Sequence, residues 1–228
     1  FSEIMRGPYS FLTLCLVLVS TACAQEKIIF EEDFNADTLN MEVWNYEEGN
    51  GCPDLCGWGN NEKQIYNRGY IALEDGKLVI TAEKKGHTYY SGKINSKYNV
   101  EFTYGVIEVK AKLATGKGLW PAIWMLGADI SEVGWPASGE IDILEYIGRE
   151  PGIVFTSLHT PASHGNTINT KKTKIADIEE GYHTYTVSNI DADLPRDITW
   201  TVEFGGVTGD ELTVGNNAAL ILAGKDGI

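Results

Sequence analysis

The chain is poor in positive charge, poor in cysteine and nearly without long apolar runs. Its 18 Lys and Arg stand against 32 Asp and Glu over 228 residues, a formal net charge of -14. Nucleic acid and polyanionic polymers are held by basic faces, so this balance argues against either as the main ligand. A neutral glycan fits better, with plain solubility as the competing explanation of the acidity. Of the 4 cysteines, Cys15 and Cys23 fall in an N-terminal apolar stretch, which leaves Cys52 and Cys56. That pair has no nearby His or second Cys pair to complete a zinc site. In an exported protein it can close a small disulfide that stiffens a loop. No internal repeat, low-complexity linker or sustained helical period is evident, which argues against solenoids and helical bundles.

The longest apolar run, Phe11 to Val19, is too short to span a bilayer well. Behind Met5-Arg6-Gly7-Pro8 it reads as the core of a secretory signal, with Phe1 to Ile4 upstream of that start. Ala22-Cys23-Ala24 offers a small-residue cleavage site before Gln25. Ser20-Thr21-Ala22-Cys23 offers the alternative, a loose lipoprotein box in which Cys23 would be acylated. Residues 1–24 are therefore expected to be upstream residues and signal peptide. The protein is expected to be secreted or periplasmic or, through Cys23, an outer-surface lipoprotein. A membrane enters only in that last case. What remains, in a chain 43% hydrophobic, suffices for one sizeable core and hardly for two.

Along the body the period is two. Val106, Glu108, Lys110 and Lys112 alternate with Ile107, Val109, Ala111 and Leu113; Leu78, Ile80 and Ala82 alternate with Val79, Thr81 and Glu83. Turn clusters at Glu74-Asp75-Gly76 and Thr115-Gly116-Lys117-Gly118 separate the runs. Many short strands of this kind predict an all-β sandwich or jelly roll.

One segment breaks the alternation. In Gly139-Glu140-Ile141-Asp142-Ile143-Leu144-Glu145-Tyr146 a regular strand would send Glu140 and Asp142 to one face and bury Glu145 among isoleucines on the other. A β-bulge near Ile143 and Leu144 resets the pattern, turning all three carboxylates to one groove and returning the aliphatic residues to the core. With the bulge the outer glutamate backbones lie about 13 Å apart, four strand steps. Retaining glycosidases need their carboxyl groups about 5 to 5.5 Å apart, a gap that two long side chains on a curved sheet can close. Asp142 between them raises the proton affinity of the cluster. The competing reading, solvated acids on an open sheet face, explains neither the required bulge nor the aromatic surroundings.

Aromatics bracket that strand. Trp120, Trp124 and Trp135 have indole faces suited to the apolar faces of sugar rings and N–H groups that reach hydroxyls, although core packing would also employ them. Asn60, Asn61 and Glu62 offer paired donors and acceptors that could read sugar hydroxyls, or simply form a Gly-Asn turn. His159, taken by itself, can equally be a satisfied structural histidine.

The acidic segment resembles the catalytic motif of glycoside hydrolase family 16 in its Glu-x-Asp-x-x-Glu form, typical of laminarinases. Gly57-Trp-Gly-Asn-Asn-Glu62, Tyr104 to Leu113, Gly116 to Leu126 and Ser157-Leu-His-Thr160 agree with it in order, from about Ile28 to Val187. The resemblance implies a concanavalin A-like jelly-roll β-sandwich with a concave glycan-binding cleft. It also implies an endo-1,3-β-glucanase that acts by double displacement. Glu140 would be the nucleophile, Glu145 the acid/base and Asp142 their tuner. Asn60, Asn61, Glu62, Trp120, Trp124, Trp135 and His159 would contact the β-glucan. No cofactor is required for the chemistry, a structural calcium is carried by many members, with Glu32 and Asp33 in the corresponding early acidic segment, and a monomer is expected. A noncatalytic β-glucan-binding protein of the same fold, or an inactive truncated or frameshifted fragment, is the alternative.

Two departures stand out. Ser91-Gly92-Lys93 replaces the family's usual Ser-Gly-Arg. After His183 to Val187 the family's closing strands do not follow, so the catalytic domain is set at 25–190, apparently incomplete at its C-terminal end, with 191–228 as an atypical segment of unclear origin.

Overall fold

The computed structural model describes residues 27–189 and, further on, the strands Ile198–Phe204, Val207–Thr208, Leu212–Val214 and Ala218–Asp226. The signal-like stretch, with Cys15 and Cys23, lies outside the described residues.

Glu32 onward forms one compact unit. Its larger sheet has seven antiparallel strands, in the order Asn45–Tyr46, Lys93–Asn95, Ala218–Asp226, Leu119–Gly127, Glu140–Tyr146, Ile153–His159 and Thr170–Lys174. The second sheet pairs Gly105–Ala111 with His183–Asn189 and that with Ile198–Phe204, which also pairs Val207–Thr208 and Leu212–Val214. Ile94, Ile123, Met125, Ile141, Ile143 and Leu158 from the first sheet share one core with Tyr185 and Val187 of the second. Fully burying each of these aliphatic side chains contributes about 1.5–3 kcal/mol. This is the jelly-roll sandwich that the short alternating runs predict.

Local chemistry explains the elements. In Gly105–Ala111 the alternation is literal: Ile107, Val109 and Ala111 pack on the core, while Val106, Glu108 and Lys110 are exposed. Ile71–Leu73 and Leu78–Ile80 pair across a turn at Asp75 and Gly76, both at positive φ (50° and 66°), which suits Asp-Gly in a tight hairpin. The only α-helix among the described residues is the single turn Ile130–Val133.

The segment set apart at 191–228 supplies strands to both sheets. Ala218–Asp226 lies inside the larger one, running from Ala218 opposite Gly127 to Asp226 opposite Leu119, and also pairs with Lys93–Asn95.

Just past the acidic strand the chain passes close to another turn. A Cβ built on Gly148 would lie 1.7 Å from the carbonyl oxygen of Gly116, while the Gly148 N–H donates to Leu119 O at 2.9 Å. A backbone atom cannot swing aside as a side chain can. Gly148→Ala is expected to cost about 1–3 kcal/mol, the range for overpacking a tight site. A thermal melt showing a midpoint several degrees lower would bear this out; an unchanged midpoint would show that the turn yields.

Candidate active site

The acidic strand is held between Leu119–Gly127 and Ile153–His159, and both pairings slip by one residue in the same place. Asp142 faces Trp124 and Leu144 faces Ile123; on the other side Asp142 faces Ser157 and Glu145 faces Phe155. One extra residue thus sits between Asp142 and Glu145, the bulge that the spacing predicts. Its effect on side chains is direct. Ile141, Ile143, Leu144 and Tyr146 all enter the core. Glu140, Asp142 and Glu145 belong to the opposite face.

Each carboxylate there has a definite partner. Trp135 Nε1–H donates to Glu140 Oε2 at 2.6 Å, and Trp120 Nε1–H donates to Glu145 Oε1 at 2.9 Å. His159 Nε2 lies 3.1 Å from Asp142 Oδ2, and Asp142 is 2% exposed. Donor atoms of Glu140, Asp142 and His159 all lie within 4.8 Å of one another, the one such group among the described residues. Trp124 stands directly opposite Asp142, and Trp120, Trp124 and Ala122 share its face by the strand's two-residue period. The Trp135 ring also meets the imidazoles of His159 and His164, with centroids 5.9 and 5.2 Å away.

Burial works against charge on His159, but its hydrogen bond to Asp142 and the fields of Asp142, Glu140 and Glu145 outweigh it and raise the imidazole above its ordinary 6.5. A group whose folded value is raised stabilises the fold fully below its unfolded value and loses that contribution as pH rises through the folded value. The gap in melting temperature between the native protein and His159→Gln should therefore be widest below about pH 6.5 and close on the alkaline side. A gap that stays constant from acid to alkaline pH would contradict a charged His159.

Two glutamates bridged to indoles across a bulge, with a buried aspartate paired to a histidine beside them, suit carbohydrate chemistry, and comparison with known proteins agrees. The description "Glycosyl hydrolases family 16" matches residues 58–205. The chain belongs to glycosyl hydrolase family 16. It is 41% identical over 153 residues to the glucan endo-1,3-beta-glucosidase A1 of Niallia circulans, covering 60% of this chain and 22% of that protein. It is 37% identical over 170 residues to the glucan endo-1,3-beta-glucosidase of Cryptopygus antarcticus, covering 68% of this chain and 60% of that protein. Among solved structures, the laminarinase from Flavobacterium sp. UMI-01 superposes with a TM-score of 0.80 at 45% identity, covering 88% of this chain and 89% of that one. The laminarinase catalytic domain from Thermotoga maritima gives 0.77 at 29% identity, covering 88% and 87%. The chain spans less than two thirds of the two named glucosidases.

Within this family 16 sandwich the remaining candidates fall into two groups. Asn60 and Asn61 are exposed, with Asn61 at φ 57°, a turn conformation. Glu62 is buried and accepts hydrogen bonds from Asn60 Nδ2 (3.1 Å), Gln64 Nε2 (2.6 Å) and Tyr66 OH (2.7 Å). Its carboxylate thus supports the loop from within. Cys52 and Cys56, in the same loop, are disulfide-bonded. Glu32 lies elsewhere and accepts from Phe34 N and Trp44 Nε1, while Asp33 accepts from Asn35 N and Nδ2. An ion there would have to draw on backbone carbonyls as well. Sequence reasoning left Trp58 unassigned within its motif and noted Lys93 only as a departure; the structure puts them together, Lys93 Nζ 4.6 Å from the centre of the Trp58 ring.

Proposed function

We propose that this chain is an exported, retaining endo-β-1,3-glucanase acting on laminarin-like polymers. The observation that carries the reading is the bulged strand, because it turns Glu140, Asp142 and Glu145 to one face and gives each glutamate an indole N–H. The activities named for the two glucosidases and two laminarinases support the choice of polymer.

In the first step a Glu140 oxygen attacks the anomeric carbon while the glycosidic C–O bond breaks and Glu145 gives its proton to the departing oxygen. The Trp135 N–H stabilises negative charge on Glu140, which helps the same carboxylate leave later. In the second step Glu145 takes a proton from water, whose oxygen displaces Glu140 from the anomeric carbon. Two inversions give net retention. The Trp120 N–H fixes how the Glu145 carboxyl is presented. Asp142 tunes the pair: its carboxylate lies beside the glutamates and is balanced by His159 when the imidazole is protonated. Trp120 and Trp135 serve as sugar platforms backed by the buried Trp124, with Asn60 and Asn61 reading hydroxyls.

Export follows from the signal-like N-terminal run, and acylation at Cys23 would tether the enzyme to a membrane surface. A monomer without a required cofactor completes the reading, with calcium near Glu32 and Asp33 as a structural option.

Reducing-sugar release from laminarin, with barley mixed-linkage glucan and agarose alongside, tests it. Laminarin should be cut fastest. Binding of laminarin without release would make the protein a β-glucan-binding module, and preference for agarose would move the substrate class.

A further inference from the structure

Lys93 is 7% exposed, and its ammonium sits over three aromatic rings at once. Nζ lies 4.6 Å from the centre of the Trp58 ring, 5.2 Å from Trp124 and 5.5 Å from Tyr66. These rings come from two separate parts of the fold. Trp124 belongs to the catalytic sheet, opposite Asp142. Trp58 belongs to the loop that carries the disulfide, Asn60 and Glu62, and Tyr66 to the short strand Gln64–Tyr66 that follows it. Lys93 itself is on the short strand two places from Leu119–Gly127 in the larger sheet. A desolvated cation over several ring faces is a substantial attraction.

The loop shows signs of being held against its own preferences. Trp58 has φ 51°, between Gly57 at 63° and Gly59 at 74°. A bulky residue rarely adopts the left-handed region, and does so where surrounding contacts over-determine it. Those contacts are visible: the Lys93 ammonium on the ring, Tyr66 against it at 5.6 Å, and the indole N–H donating to Gly49 O at 3.4 Å. Tyr66 in turn donates to the buried Glu62, which also receives Asn60. One cation therefore connects the half-buried Trp58 indole, the Glu62 hydrogen-bond set and the catalytic sheet.

We propose that Lys93 is a positioning residue of the glycan cleft, a brace that locks the loop 49–63 and its Trp58 indole onto the catalytic sheet. The idea rests on the glucanase reading for its substrate but not for its geometry. A cation suits this place because it can lie over three rings that face it from different directions. The brace acts on the loop that meets the sugar rather than on the bond-breaking step, so its removal should weaken the hold on sugar without slowing bond cleavage.

The test compares native protein, Lys93→Met and Lys93→Arg, each as the full chain. For Lys93→Met, KM on laminarin should rise about tenfold and kcat should stay within about twofold, the split expected when uniform binding is lost. Quenching of tryptophan fluorescence by laminarihexaose should weaken by a similar factor. Lys93→Arg, which keeps the cation, should recover most of the loss. Trypsin cleavage after the exposed Lys63 should speed up severalfold in Lys93→Met and much less in Lys93→Arg. Unchanged KM and cleavage rates in Lys93→Met would overturn the brace, as would a collapse of kcat, or a loss in melting temperature that Lys93→Arg fails to restore. If the native protein neither binds nor cuts β-glucan, the glucanase reading fails, and the cleavage rates still decide the brace.

Discussion

Exchange of Glu140 for Gln is expected to abolish laminarin hydrolysis, lowering kcat by roughly 10⁴ to 10⁶-fold, the scale of losing a covalent nucleophile. The amide keeps the shape and can still meet the Trp135 indole, but it cannot attack the anomeric carbon or accept the glycosyl group. Stability should move the other way. Glu140, Asp142 and Glu145 place three acids on one face of one strand, and on the alkaline side, where His159 no longer balances them, removing a charge relieves their mutual repulsion. The melting temperature of Glu140→Gln should equal or exceed that of the native protein. Activity lost together with stability would point to a structural role for Glu140.

Glu145→Gln should cost about 10² to 10⁴-fold, the usual worth of a general acid–base group, and the loss should depend on the substrate. Laminarin has a poor leaving group, so protonation is essential to the first step. An activated aryl β-glucoside of laminaribiose leaves without help, so its first step should survive and the second become limiting. Azide, which needs no deprotonation, should then rescue Glu145→Ala and yield a β-glycosyl azide. In Glu140→Ala the same anion would enter from the opposite side and give the α-product. Swapped anomers would exchange the assigned roles of Glu140 and Glu145.

The sequence makes the bulge legible because the rule that exposes it is local. A period of two cannot place Glu140, Asp142 and Glu145 on one face without an insertion, and the hydrophobic residues between them leave one place for it. The alternation in Gly105–Ala111 and the Asp-Gly hairpin at 75–76 are local in the same way. The place of Ala218–Asp226 is not. Its apolar residues say that it is a strand, but its position between Lys93–Asn95 and Leu119–Gly127 depends on partners about a hundred residues away. Nothing in its own pattern names them. The Lys93 brace is hidden for a related reason: Trp58, Tyr66 and Trp124 converge only once the loop has folded back on the sheet. Glu62 shows what residue type leaves unsaid. A carboxylate beside two asparagines suggests a sugar contact; its burial and its hydrogen bonds from Asn60, Gln64 and Tyr66, which also support the loop, are visible only in the fold.

The central claim is double displacement by Glu140 and Glu145 on a β-1,3-glucan, and the anomer first released tests it most directly. Proton NMR of laminarihexaose during its first minutes with the native protein should show the β-anomer of the new reducing end ahead of mutarotation. Initial release of the α-anomer would mean a single displacement by water, and would contradict a covalent role for Glu140.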